Sequence, residues 1–361
     1  MWVHPLIPGL VGNCYMLSLI NSNGYDMPSS LQQFGSVTVS RVRTSSDLRQ
    51  LLKDQWLKTD VFIVKPNWFS PHPANFTDVE TLRVLLEALD GQITITEAYS
   101  MERQDGSMKF TVDGEEVNWR WIMNHPNWDW IKKKGRWDEI RKQDKWFLDE
   151  FGFTDLFGEY RVDYVNVTEE VLQGRTADVG KIKKTVETRF TPVLKEQLYK
   201  YIPQRLYELR GATFISLGKV KGIRGMFPSL TMKNLFGLIP DPLRSWWHGP
   251  NDEWLGRSIV DINKIYVALF RVYGICEALR YATVSDSQGE VKVPWGSYGI
   301  AKDLGVLTFG RNLVALDAVL CGLIGVDPEK VSYIELGEEA FGFYNRQHVE
   351  KAKASKDWFH I

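Results

Sequence analysis

From Val37 to Val42 apolar and polar residues alternate, the period of a strand with one buried face. Ser45 or Ser46 then caps a predicted helix running to about Lys58. Val61-Phe-Ile-Val64 is an unbroken run of β-favouring residues, the pattern of a strand covered on both faces. Asp78 to Leu89 places Leu82, Leu85, Leu86 and Leu89 on one helical face; Gly91 ends it, and Ile93-Thr-Ile-Thr96 forms the next strand. Strand, helix and strand at this spacing predict a parallel βαβ unit with a right-handed crossover. Further strands are expected at 162–167, 212–217 and 306–309. A largely helical stretch is expected over 180–209, with breaks at Pro192 and Pro203, and a buried helix over 312–325. Residues 259–279 carry helical and strand-like signals together. The fold class expected is α/β, a mostly parallel sheet flanked by helices.

Residues 101–147 interrupt this alternation. Six of the fourteen tryptophans lie between Trp119 and Trp146, interleaved with Lys132, Lys133, Lys134, Arg136, Arg141 and Lys142. Aromatic and basic residues so mixed can stack bases or lie on a membrane surface. Asp129, Asp138, Glu139 and Asp144 dilute the charge, and a compact helical insertion acting as a lid is the favoured reading. The chain then divides into a first segment with the βαβ unit (1–100), the Trp/Lys-rich insertion (101–147), the rest of the α/β core (148–345) and a C-terminal tail (346–361).

Charge and cysteine content narrow the function classes. The formal net charge of the 361 residues is -1, so a polyanion-binding role would need a local basic stripe. Cys14, Cys276 and Cys321 are far apart and form no CxxC, so the chain holds no iron–sulfur or cysteine-zinc motif of the usual spacing. Their apolar settings indicate buried free thiols in a reducing compartment. The first twenty residues lack the basic start of a signal peptide, and no apolar stretch reaches the ~20 residues that span a bilayer. A cytoplasmic location is expected, with no transmembrane segment.

Candidate chemistry gathers where strands end, because ligands of open α/β sheets collect beyond the carboxyl ends of the strands. Lys65-Pro66-Asn67 follows one strand and Glu97 another. A third runs into Gly218-Lys219-Val220-Lys221, opening a glycine-rich loop with Arg224 and then Lys233-Asn234 before Gly237. Glycines let backbone N–H groups approach an anion and lysines supply point charges, although the GxxxxGK[ST] order of a phosphate-cradling loop is absent. Arg244-Ser-Trp-Trp-His248 adds a cation and a histidine that titrates near neutrality. The substrate-binding candidates are therefore Lys65, Asn67, Lys219, Lys221, Arg224, Asn234 and Arg244. Glu97, His248 and Lys233 are the candidates for moving protons or attacking the substrate. No local metal motif surrounds His248.

Taken together, these segments resemble the domain-of-unknown-function-362 family, often labelled iron–sulfur centre proteins. The resemblance rests on Val61 to Asn67 followed by Asp78-Val-Glu-Thr-Leu82, Ile95-Thr-Glu97-Ala, Lys219-Val-Lys221 with Thr231-Met-Lys233-Asn234-Leu-Phe-Gly237, His248, and Gly305 to Asp317 with Gly325-Val-Asp-Pro328, in order across about residues 35–342. Many members carry an added ferredoxin-like segment whose cysteines are absent here. Members commonly place threonine and histidine after the Lys-x-Lys pair, where this chain has Gly222 and Ile223. The function expected is that of an enzyme acting on an anionic carboxylate or phosphate small molecule. The alternatives are a redox or electron-transfer partner of a separate iron–sulfur or flavin protein, and a noncatalytic module for nucleic acid or a protein.

Overall fold

The computed structural model describes residues 31–55, 59–103, 105, 111–117, 121, 125, 137–222, 228–241, 243–285, 291–293, 296–355 and 358–359. Cys14, Arg224, the first thirty residues and Lys132 to Arg136 lie outside them. The described chain builds an eight-stranded sheet from β1 (Leu31–Phe34), β2 (Val37–Arg41), β3 (Val61–Lys65), β4 (Gln92–Glu97), β7 (Asp163–Asn166), β8 (Thr213–Lys219), β9 (Arg271–Ala278) and β13 (Val306–Gly310), in the order β1-β2-β13-β9-β8-β3-β4-β7. The five strands from β9 to β7 are parallel, and β13, β2 and β1 extend one edge antiparallel. A two-stranded hairpin, β5 (Thr111–Val112) with β6 (Glu115–Glu116), and a small antiparallel sheet of β10 (Tyr281–Ser285), β11 (Val291–Val293) and β12 (Gly296–Lys302) complete the strands.

The strand period decides which residues meet which helices. In β3, Ile63 belongs to one apolar core while Phe62 and Val64 belong to the other, and β8 divides likewise between Phe214 and Ile215 with Leu217. The first core contains Leu316 and Val319 of the helix Leu313–Leu323 and Ile262 of the helix Leu255–Leu269. The second contains Leu82, Leu85 and Leu86 of the helix Val79–Ala88 and Phe147 of the helix Trp137–Glu150. The sheet is thus sandwiched by helices, as its continuous apolar strands require.

Several boundaries differ from the sequence expectation. Val167 opens a helix, because the Asn166 side chain caps it by accepting from the Glu169 N–H (3.2 Å). Residues 259–279 resolve into the helix ending at Leu269 and then β9, with no glycine or proline marking the change. The glycine-rich stretch after β8 is not all loop, since Thr231–Phe236 is a helix. The insertion has no break at residue 147, because the helix Trp137–Glu150 runs through it. The C-terminal segment carries the helix Arg346–Ala354, with Val349, Ala352, Trp358 and Phe359 buried. Among the described residues no helix is long and apolar enough to cross a membrane.

From β3 the chain moves outward to β4 and β7, then returns across the sheet to β8 and β9. The helix after β3 packs on one face and the helices after β8 on the other, so a crevice opens between their carboxyl ends. Lys65 ends β3, Glu97 ends β4 and Lys219 ends β8.

Candidate active site

A small cleft of about 110 Å³, partly open to solvent, occupies this switch point. It is lined by Lys65, Asn67, Glu97, Lys221, Lys233, Asn234, Arg244 and His248, with Trp68, Phe69 and Phe236 as apolar wall. Eight of the ten residues singled out from sequence therefore meet in one cavity. Arg224 lies outside the described residues, and Lys219 does not line the cleft.

A continuous chain of polar contacts crosses the cavity floor. The Lys65 ammonium donates to Glu97 Oε2 (2.8 Å), to the Pro66 carbonyl (2.9 Å) and to Asn234 Oδ1 (3.2 Å). Asn67 Nδ2 donates to the same Asn234 oxygen (3.2 Å), and Asn67 Oδ1 accepts from the Lys221 ammonium (2.8 Å). Asn234 Nδ2 is held by the Lys65 carbonyl (3.0 Å) and Ser216 Oγ (3.1 Å). The second Glu97 oxygen accepts the Ala98 N–H (2.9 Å). Both asparagine amides are thus oriented by partners at each end, which buried amides require. Gly237 belongs to this construction: a Cβ there would stand 2.8 Å from Lys65 Nζ and 3.0 Å from its Cε.

Lys233 and Asn234 reach the cleft from a six-residue helix that lacks a side-chain cap of its own. Asp317, far along the chain in the apolar helix Leu313–Leu323, supplies one. Its Oδ1 accepts the Thr231 N–H (3.0 Å) and hydroxyl, and its Oδ2 accepts the Met232 N–H (2.8 Å). Burial pushes this carboxyl up to about 7 against the pull of those hydrogen bonds.

The charges are unevenly compensated. Lys65 is paired with Glu97, each 2% exposed, yet burial brings its pKa down to about 8, with Glu97 opposing and Arg244 and Arg103 adding to the fall. Lys221 is 4% exposed and has no carboxylate partner among the described residues. Burial first, then Lys233, Lys219 and Lys65, push its pKa well below the ordinary lysine value. Half-buried Lys233 has neither a hydrogen-bond nor an ion-pair partner among the described residues, and burial lowers it to about 8 against the attraction of Asp252. Arg244 is spent on backbone, donating to the carbonyls of Ile239 (2.9 Å) and Tyr99 and standing 3.7 Å from Asp241.

His248 Nδ1 is 2.7 Å from Asp252 Oδ1. That contact follows a left-handed backbone, with Gly249 at φ 73°, Asn251 at 50° and Asp252 at 64°. Such conformations carry a cost of order 1 kcal/mol and persist where the surroundings enforce them. Asp252 thus holds one ring nitrogen of an imidazole that lines the cleft. The tryptophans beside it pack away from the cleft: Trp246 and Trp254 receive the Lys195 ammonium at 3.8 and 3.3 Å from their ring centres.

Lys219 corrects the sequence expectation. It pairs with Glu277 at 2.8 Å, both side chains fully buried, and the two are register partners on β8 and β9. It fixes the strand end from below. Trp68, Phe69 and Asp317 were missed, although the lone acid within the apolar run Leu313 to Leu323 was a signal. Among the described residues no three His, Cys, Asp or Glu side chains cluster as metal ligands. Cys276 and Cys321 are buried free thiols.

Comparison with known proteins agrees with the resemblance. A family model described as a domain of unknown function (DUF362) matches residues 62–322. A thylakoid-associated protein of Synechocystis sp. (strain ATCC 27184 / PCC 6803 / Kazusa) is 24% identical over 120 residues, which is 32% of this chain and 34% of that protein. The match thus spans about a third of that relative's length. No solved structure matches the chain.

Proposed function

The chain belongs to the domain-of-unknown-function (DUF362) family, and from that premise we propose that it is an enzyme binding a carboxylate or phosphate small molecule in the cleft at the ends of β3, β4 and β8. The observation that carries this reading is Lys221, a buried ammonium with cations around it and no carboxylate opposite among the described residues. Burying unpaired charge is costly, and cations crowded together raise that cost. A bound anion offsets both. Glu97, locked to Lys65, serves to hold that lysine in place, and Asn67 and Asn234 orient the ligand's oxygens. His248, held by Asp252, is the acid–base group of the cleft. The buried free thiols accord with a reducing, cytoplasmic setting.

The test is a thermal-shift screen against phosphates, mono- and dicarboxylates and nucleotides. A ligand at about 100 times its dissociation constant adds roughly 2.7 kcal/mol to the folded state, so one anion class is expected to raise the melting temperature clearly. Lys221→Met is expected to remain folded without ligand, since removal of the buried cation offsets the loss of its hydrogen bond to Asn67 Oδ1, and to lose that anion response. A response untouched by Lys221→Met, or none to any anion, contradicts the reading.

A further inference from the structure

We infer that Lys233 is the reacting amine of the cleft and that the substrate class is an anionic carbonyl compound, an oxo-carboxylate or a phosphorylated aldehyde or ketone, which it captures as an imine. The inference rests on the anion-site reading above and deepens it.

The lysines around the cleft are not equivalent. Lys65 spends its hydrogens on Glu97, the Pro66 carbonyl and Asn234, and Lys219 is locked to Glu277. Lys221 donates to Asn67 and to the Asn75 carbonyl (3.4 Å), which fixes it as a holding cation. Lys233 alone of these four has no hydrogen-bond or ion-pair partner among the described residues, and it lines the cleft from the helix that Asp317 anchors. It is close enough to Lys221 to oppose that lysine's charge, and Asp252 attracts it. A lysine attacks a carbonyl only through the lone pair of its neutral form, and desolvation beside another cation favours that form. The lowered pKa of about 8 agrees with this. Phe236 and Trp68 give the carbon skeleton an apolar wall, and Lys221 faces the anionic group.

The chemistry closes without an added reagent. The Lys233 nitrogen adds its lone pair to the carbonyl carbon, and the C=O π electrons move to oxygen, which takes the proton that the nitrogen gives up. The resulting neutral carbinolamine loses its hydroxyl as water when a proton is delivered to that hydroxyl through His248. The nitrogen lone pair then forms the C=N bond of a protonated imine, so that amine, carbonyl and proton become iminium and water. His248 lines the same cavity, oriented by Asp252 at 2.7 Å.

The experiment traps this species. The full chain is incubated with pyruvate, or separately with pyridoxal 5′-phosphate, reduced with sodium borohydride, and mapped by peptide mass spectrometry. The expected result is saturable modification concentrated on Lys233, competed by inorganic phosphate or succinate. Lys233→Arg, which keeps the charge, is expected to lose the adduct while retaining anion-dependent thermal stabilisation within a few-fold of wild type. Modification at Lys221, or only at exposed lysines such as Lys330 (83% exposed), overturns the assignment and leaves the anion site standing if phosphate or succinate still stabilises the protein. A Lys233 adduct that no anion competes supports the reactive lysine and counts against the anion reading.

Discussion

Lys219→Met is expected to lower the unfolding free energy by about 3–5 kcal/mol, the usual penalty for removing one member of a buried pair, without abolishing anion binding by the folded protein. The reason is Glu277. Its carboxylate is fully buried, bonded to Lys219 at 2.8 Å and to the Leu279 N–H at 3.2 Å, and burial already raises its pKa despite the lysine. Without Lys219 the carboxyl must stay neutral or remain charged and unpaired. A carboxyl whose folded pKa is raised contributes stability below its unfolded pKa and loses it as pH rises through the folded value. The deficit of the variant is therefore expected to be smallest at acid pH, below the ordinary carboxylate range, and to grow as pH rises. Lys219→Met/Glu277→Leu is expected to recover most of the loss, because apolar replacements of a buried pair are often neutral or stabilising. Denaturant titration across pH measures all three forms. Equal stability of Lys219→Met and wild type, or loss of anion binding in proportion to stability, would place Lys219 in the site instead.

The second large effect is expected at Asp317. Asp317→Ala removes the cap of the helix Thr231–Phe236 and leaves the Thr231 and Met232 N–H groups buried without an acceptor. A lost cap costs about 0.5–2 kcal/mol and each stranded buried donor about 1–3, so a loss of roughly 2–4 kcal/mol is expected. Because that helix carries Lys233 and Asn234, affinity for the anion class that stabilises wild type is expected to fall at least tenfold. Asp317→Asn keeps an acceptor oxygen and should retain part of both. Wild type loses the Asp317 contribution as pH rises from about 4 to its raised value of about 7, and Asp317→Ala should lack that slope. An intact affinity in Asp317→Ala would show that the helix holds its place without the cap.

The lines of the fold were legible because the parallel strands are covered on both faces and so appear as unbroken apolar runs. Val61 to Val64 and Ala212 to Leu217 fall within a residue or two of β3 and β8. The strand ends then located Lys65, Asn67 and Glu97, since a βαβ unit fixes which end of each strand faces the crevice. Lys233, Asn234 and His248 were legible as chemistry, but their convergence depends on the chain recrossing the sheet between β7 and β8, which no local pattern encodes. Lys219 misled for a related reason. Its partner is 58 residues away and becomes its neighbour only through the β8–β9 register. The helix Thr231–Phe236 was read as loop because its cap comes from Asp317 and not from the residues before it.

The central claim is that uncompensated lysines hold an anion, and calorimetric titration at pH 8 in two buffers of different ionisation enthalpy tests it most directly. Burial pushes Lys221 well below its ordinary value, so an anion that favours its charged form must draw a proton onto it. One-site binding of a carboxylate or phosphate with proton uptake is expected, weakening as pH rises, and lost in Lys221→Met. Binding with no proton uptake and no dependence on Lys221, or no binding by any anion, would contradict the account.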